Sequence, residues 1–534
     1  MKLLTRLSLV AALFVLPLAL PAYAETPDDQ LIIGFSMSNL LTLDPHAITG
    51  KETVQVLANV YDNLVSLDAV ERAQVNADLA ESWQVAEDNS SITFTLREGA
   101  QFASGNPVTA ADVEWSLKRL MTLELPQASF LVTHGFNAEN ADASFVAEDE
   151  RTFTVNLPRP LDPQIVIQTL AIVGPGSVID SRLAMENERD SDMGRSWLTT
   201  NSAGSAGYSI QTWQSNDIVI LARNANYWGE EPPMSRIIMR HIPESTTQRL
   251  MLERGDIDIA FSLSAPDLQA LEGREDVTVQ TGPGAAFYYL AVSMEDERFA
   301  DPLVREALRY VIDYEGLNET ILPYFGRLHQ RPIHTGFLGA MEDPGYELDI
   351  ERAKELLAEA GYPDGFSTTM LSLSDAPFLS LATAIQASLA EAGIDAQIVS
   401  GNGNQVYGPM RERNFEMIVG RGGGGQLPHP DSNLRAIAYN PDNSPQAGLS
   451  NFQGWRTSFH DEELNTMIDA ALIEPDSQTQ IQMYENIQDR FEEIVHPIRP
   501  FSEVVDSVAH RSDVVDLTIN PSWSTDLSVV SKSR

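Results

Sequence analysis

Segment 417–431 gathers the side chains best suited to hold a ligand: Arg421, a run of four glycines at 422–425, then Gln426, His429 and Asp431. The planar guanidinium of Arg421 matches a carboxylate or phosphate with two parallel hydrogen bonds, and it suits an ion pair between two parts of the fold equally well. Glycines such as Gly424 leave backbone amides open to a ligand. His429 shares the loop, while His46, His134, His329, His334 and His460 are scattered. None of them has metal-site spacing and the chain has no cysteine, so direct metal or metallophore binding is kept only as an alternative. Asn451 and Trp455 lie in a polar stretch where the indole is either a stacking platform or a packing residue, and Trp523 has the same two readings. Arg413 is also either an anion ligand or an ion-pair partner. The chain contains no Gly-x-Ser-x-Gly elbow, no phosphate loop ending in Gly-Lys and no dinucleotide fingerprint. No catalytic residue and no cofactor is therefore predicted.

Charge and length narrow the partners. The 534 residues carry a formal charge of −41, which repels nucleic acid and anionic membranes. The opening residues read as an export signal. Lys2 and Arg6 precede an apolar run at 9–20, and Ala22-Tyr23-Ala24 offers small residues for cleavage before Glu25. The run is shorter than a spanning helix needs. Without a cysteine after the cleavage point there is no lipid tether, so a free periplasmic protein is expected.

Periodicity predicts a mixed α/β chain. Strands are expected over 31–35, 91–96, 152–157, 218–221 and 394–399. Helices are expected over 53–64, 109–121, 246–254, 304–314, 350–360, 378–392, 462–473 and 478–494. Thr109 and Asp112 form an N-terminal capping pair, and Gly255 and Gly393 stand where helices stop.

Several segments occur together in one order: Leu43-Asp44-Pro45-His46, Leu79-Ala80-Glu81-Ser82-Trp83, Phe94-Thr95-Leu96-Arg97 with Phe102-Ala103-Ser104-Gly105, and Val108-Thr109-Ala110-Ala111-Asp112-Val113. Gly204-Ser205-Ala206-Gly207-Tyr208, Arg223-Asn224-Ala225-Asn226-Tyr227-Trp228-Gly229, Gly255-Asp256-Ile257-Asp258 and Asp301-Pro302-Leu303-Val304-Arg305-Glu306-Ala307-Leu308 follow. The series resembles the large extracellular solute-binding proteins of peptide, opine and nickel importers, solute-binding family 5. The resemblance implies an α/β, two-lobed periplasmic binding protein of type II with an extra inserted subdomain, closing at a hinge. It divides the chain into a leader at 1–24, lobe I segments at 25–60, 179–280 and 501–534, the inserted subdomain at 61–178, and lobe II at 281–500.

The same resemblance implies a small solute held between the lobes and delivered to the permease subunits of an ABC transporter by a monomeric protein. Family members that bind peptides carry a tryptophan and an aspartate in the loop after the lobe II strand, the aspartate pairing with the ligand ammonium. Here Gly423 and Gln426 stand at those positions, and an amide cannot neutralise a buried ammonium. A slip in the glycine run would let Asp431 supply the carboxylate. Tyr288 and Tyr289 follow the expected hinge, and one of the two is expected to face the ligand. Met37, Ser38 and Asn39 are expected to line the cleft from lobe I. The solute is expected to be peptide-like or opine-like, with an oligosaccharide as the alternative.

Overall fold

The computed structural model describes residues 26–534. The leader expected at 1–24 lies outside the described residues. Among the described residues no helix is long and apolar enough to cross a membrane.

One sheet of eleven strands runs through the molecule. In chain order these are β1 (Gln30–Phe35), β2 (Tyr208–Gln214), β3 (Ile218–Arg223), β4 (Arg236–His241), β5 (Ile259–Ala260), β6 (Val277–Val292), β7 (Gly326–Leu328), β8 (Phe366–Leu373), β9 (Ile394–Gly401), β10 (Met417–Gly422) and β11 (Ile498–Arg511). Their order across the sheet is β9-β8-β10-β6-β11-β5-β1-β4-β3-β2, with β7 paired to β11. β1 lies parallel to both β4 and β5, and its Leu31, Ile33 and Phe35 are fully buried, as suits a central strand.

Strands β6 and β11 are exceptionally long. They pair antiparallel from Val277 opposite Arg511 to Ala291 opposite Ile498, and the register breaks between Pro283 and Phe287. Apolar residues near one end of this ribbon join a core built from 31–61, 173–261 and 508–530. At the other end they join two cores on opposite faces of the β6, β8, β9 and β10 region. A separate four-stranded sheet, in the order Ala80–Val85, Ser91–Leu96, Thr152–Asn156, Phe145–Ala147, has its own core within 64–178. Leu427 and Leu472 reach into that core from the far half of the chain.

Two helices fix the inserted part to the rest. Helix α1 (Lys51–Leu57) stops earlier than its periodicity suggests. The Asn59 amide takes the carbonyls of Gln55 and Thr525, and the chain turns there so that Val60 and Tyr61 enter the core. The helix expected over 304–314 likewise divides, because Asp313 caps a new helix at Tyr314–Thr320. Helix α2 (Ala110–Thr122) has the expected capping box, in which the Thr109 N–H and hydroxyl donate to Asp112 at 2.9 and 2.6 Å. The second oxygen of Asp112 accepts from the Ser181 hydroxyl at 2.6 Å, tying α2 to the next segment.

From the last turn of α2, Arg119 reaches back to Asp44. Both side chains are buried and their closest contact is 2.5 Å. Arg119 also donates to the Met193 carbonyl and lies 3.1 Å from His46 Nδ1. Burial, followed by the Arg119 charge, lowers the His46 imidazole to about 3, so it stays neutral. Removing one partner strands a buried charge. Asp44→Ala is therefore expected to lower stability by about 3–5 kcal/mol in urea titrations, whereas Glu355→Ala on the surface should leave the midpoint unchanged.

Candidate functional site

A cavity of about 790 Å³ lies where the inserted part, the first lobe and the second lobe meet. The register break in the ribbon forms part of its wall. Ala285 and Ala286 lie inside the break, and Val504 and Asp506 face the cavity from β11. Three cations reach it from three parts of the chain: Lys51 at the start of α1, Arg72 in the inserted part, and Arg421 on β10. Lys51 Nζ stands 3.9 Å from the centre of the Trp523 ring. Arg72 Nη2 donates to the Gly425 carbonyl at 2.8 Å, while its buried Nε has no partner.

Asp506 is the carboxylate these cations share. Burial raises its pKa, while Lys51, Arg421, a hydrogen bond from Trp523 and Arg72 act the other way. Burial lowers the Lys51 ammonium and takes the Arg72 guanidinium down to about 10. Both cations are thus short of solvation, and an anion entering the cavity would restore it.

The expected site residues separate into two groups. Arg421, Gln426 and Trp523 line the cavity. The others are packed or bonded away from it, Tyr288 reaching only the Arg421 side chain. Tyr289 is fully buried in the core behind the sheet, with its hydroxyl 4.0 Å from Met410 Sδ. Tyr288 is buried against Phe378 and Phe501 and lies opposite Arg421 in the β6–β10 register. Ser38 bonds to Ser36 at 3.2 Å, and Asn39 donates to Glu52 at 3.1 Å. Met37 is buried and its amide donates to His241. Trp455 is buried, donates to the Ser444 carbonyl and carries the Arg413 guanidinium 5.0 Å above its ring. Asp431 is fully buried and pairs with Arg435 at 2.8 Å, so it does not stand in for a ligand carboxylate.

The glycine run is a packing device. Gly423, Gly424 and Gly425 all have positive φ, at 103°, 76° and 97°. A Cβ on Gly423 would meet the Phe287 ring at 2.7 Å, one on Gly424 the Ser432 carbonyl at 2.5 Å, and one on Gly425 the His334 ring at 2.6 Å. Only glycine fits this path, which explains the missing side chain at 423 without invoking the ligand.

His429 closes the molecule. Its Nε2 lies 3.2 Å from Asp162 Oδ2 in the inserted part, and Gln480 donates to the same oxygen at 3.0 Å. The Asp162 amide donates to the Leu472 carbonyl at 2.7 Å. Burial alone would raise the Asp162 pKa, but His429, Gln480 and the Gln164 amide bring it below the usual value. Together with Arg72 on Gly425 and the seating of Leu427 and Leu472, these contacts clasp the inserted part to the second lobe.

A second group of cavity residues had no sequence signal. Asp62, Asp78 and Asp526 line the wall with Tyr227 and Trp228, the first two from either side of a short hairpin and the third from the C-terminal tail. Lys51, Arg72 and Asp506 were equally unmarked, because no local spacing links them. Among the described residues no group of three or more His, Cys, Asp or Glu side chains is arranged to hold a metal ion.

Comparison with known proteins gives a consistent picture. Residues 74–445 match the family described as "Bacterial extracellular solute-binding proteins, family 5 Middle". The chain is 32% identical over 380 residues, 70% of each sequence, to the Escherichia coli K12 protein named "Probable D,D-dipeptide-binding periplasmic protein DdpA". Its fold resembles that of DppA from Helicobacter pylori solved with the peptide STSA, with a TM-score of 0.76, 24% identity, and coverage of 95% of this chain and 98% of that one. It also resembles MoaA from A. tumefacien R10 solved with mannopinic acid, with a TM-score of 0.75, 22% identity, and coverage of 95% and 100%.

Two outcomes follow from the geometry. Tyr289→Ala is expected to cost about 3–5 kcal/mol of stability, and Tyr289→Phe almost none, in paired urea titrations. Asp162→Ala should loosen the clasp, seen as a larger radius of gyration in small-angle scattering, while an unchanged radius would show that the clasp does not hold the lobes together.

Proposed function

The chain belongs to the bacterial extracellular solute-binding proteins of family 5, a family of binding proteins and not of enzymes, and we propose that it captures a peptide-like or opine-like solute bearing an anionic group. The observation that carries the reading is the three-sided cavity, in which Lys51, Arg72 and Arg421 stand about the Asp506 carboxylate, with Glu503 also acting on Arg72. Its volume of about 790 Å³ suits a small-molecule site. The guanidinium of Arg421 takes the solute carboxylate, and Gln426 adds neutral hydrogen bonds. The name of the Escherichia coli relative, with its D,D-dipeptide, supports a short peptide. Closure over the solute presents the protein to the permease of an ABC transporter. Export through the leader at 1–24, with cleavage after Ala24, completes the reading.

A sugar is less well served. Arg97 already covers Trp228 at 4.6 Å, Lys51 covers Trp523, and Trp455 is buried. A bare stacking platform is what an oligosaccharide would need.

The test is a thermal-shift screen with short peptides, amino-blocked peptides, opines, oligosaccharides and metal salts. A solute at one hundred times its Kd should add about 2.7 kcal/mol of stability. A hit among carboxylate-bearing compounds, weakened about 10- to 100-fold by Arg421→Ala with an unchanged melting temperature of the free protein, is the expected result. Hits confined to neutral sugars or metal salts would refute it.

A further inference from the structure

An exposed arginine samples many rotamers, and pairing with an anion costs it that freedom. Arg421 is exposed within the cavity, yet two tyrosines that do not line the cavity hold it. Strand β8 pairs with β10 only from Met417 to Val419, so at Arg421 that edge of β10 has no strand beside it. The Tyr407 hydroxyl fills the place. It accepts from the Arg421 amide at 3.0 Å and donates to the Arg421 carbonyl at 3.4 Å, as a neighbouring strand would. Tyr407 stands on the helix Gly403–Arg411, whose start is fixed by a capping box between Asn402 and Gln405 and which packs on β8 and β9. Both backbone groups of Arg421 thus turn away from β6. Its pairing with Tyr288 across the β6–β10 ladder is therefore of the type without hydrogen bonds, in which side chains stand closest. The guanidinium accordingly donates to the Tyr288 hydroxyl. Tyr288 has no room to yield, being buried with the Phe378 and Phe501 ring centres 5.7 and 6.4 Å away.

We propose that Tyr288 and Tyr407 are positioning residues for anion recognition: Tyr407 fixes the backbone of Arg421, Tyr288 fixes its guanidinium, and neither touches the solute. The inference rests on the reading in which Arg421 takes the anionic group. An arginine has five N–H donors, so a bond to one hydroxyl leaves enough for a carboxylate. Asp506 is the competing acceptor, since its charge acts on both Arg421 and Tyr288. Without the Tyr288 hydroxyl the guanidinium is free to fold onto Asp506 and spend there the donors meant for the solute. Held by the tyrosine, it keeps them directed into the cavity.

The protonation state agrees with this geometry. Burial raises the Tyr288 hydroxyl to about 12 and the Tyr407 hydroxyl above its usual value, with Arg421 acting the other way on each. Both phenols keep their protons at neutral pH. Tyr407 needs its proton, because only a neutral hydroxyl can serve the carbonyl and the amide of Arg421 together. The arrangement lowers the freedom that Arg421 loses when a solute arrives, an effect of about 3- to 10-fold in affinity for one rotamer-rich side chain.

Calorimetry on the purified protein with Ala-Ala-Ala and its C-terminal amide tests the assignment. Tyr288→Phe and Tyr407→Phe should each weaken Ala-Ala-Ala by about 3- to 10-fold and leave the amide and the melting temperature of the free protein unchanged. Neither should have a further effect once Arg421→Ala is present, and Tyr288→Phe alone decides the matter should Tyr407→Phe fail to fold. The Arg421 Nε–H resonance, assigned by its loss in Arg421→Ala, gives a readout without ligand. Its nitrogen relaxation should report a rigid group in the wild type and a mobile one in Tyr288→Phe. If Arg421→Ala leaves Ala-Ala-Ala binding unchanged while the resonance behaves in this way, the anion reading falls and the positioning of Arg421 stands. If Arg421→Ala weakens binding but the tyrosine variants do not, or weaken the amide equally, the positioning is overturned and the anion reading stands. A resonance as rigid in Tyr288→Phe as in the wild type overturns the positioning whether or not a peptide binds.

Discussion

Strands β6 and β11 are each other's partners over nearly their whole length, and the rest of the molecule depends on that pairing. Two covalent crossings joined by a hydrogen-bonded ladder allow bending along one line while resisting twist and slip. The pairing is interrupted from Pro283 to Phe287, where the backbone groups are not drawn together. Ala285 and Ala286 lie in that gap, and Asp506 faces it from the other strand. The place where the ribbon is weakest as a ladder is therefore the place where it walls the cavity, so bending there reshapes the cavity directly.

Burial decides which charges can serve. Asp44 and Arg119 pair with one another, as do Asp431 and Arg435, and each pair is held inside the structure. Lys51, Arg72 and Asp506 are shielded from water without full mutual satisfaction. A protein tolerates such a state where a ligand will complete it. That distinction separates binding residues from structural ones more reliably than residue type, since Arg421 and Arg413 look alike in sequence. Only the first reaches the cavity, because Arg413 is held by Ser458, Asn443 and Glu295.

Sequence periodicity was a good guide to elements whose signal is local. The capping box at Thr109 and Asp112, the stop at Gly255 and the strand at Ile394–Gly401 all depend on neighbours a few positions apart. It overran where a helix ended for a distant reason, as at Asn59, whose amide answers Thr525. The ordered motifs identified the family because they are packing solutions repeated along the chain. The site was only partly legible. Arg421 and Gln426 share one loop and could be read there, whereas the cavity's other charged residues are brought together by the crossing of chain segments hundreds of positions apart. Neither Tyr288 nor Tyr289, one of which the sequence assigns to the ligand, lines the cavity, since the sheet is covered on both sides and each tyrosine is buried.

The contact of His429 with Asp162 makes the molecule a ring. From the first lobe the path runs through the β6–β11 ribbon to the second lobe, across His429, Gln480 and Leu472 to the inserted part, and back through Arg119 to the start. The cavity is enclosed by that ring, and the His429–Asp162 junction closes it through hydrogen bonds and one histidine–carboxylate contact. Under the proposed reading, a bound solute leaves when that junction parts, so the strength of the junction sets residence time separately from equilibrium affinity. A permease that pulled on this junction would empty the cavity without competing for a single solute contact.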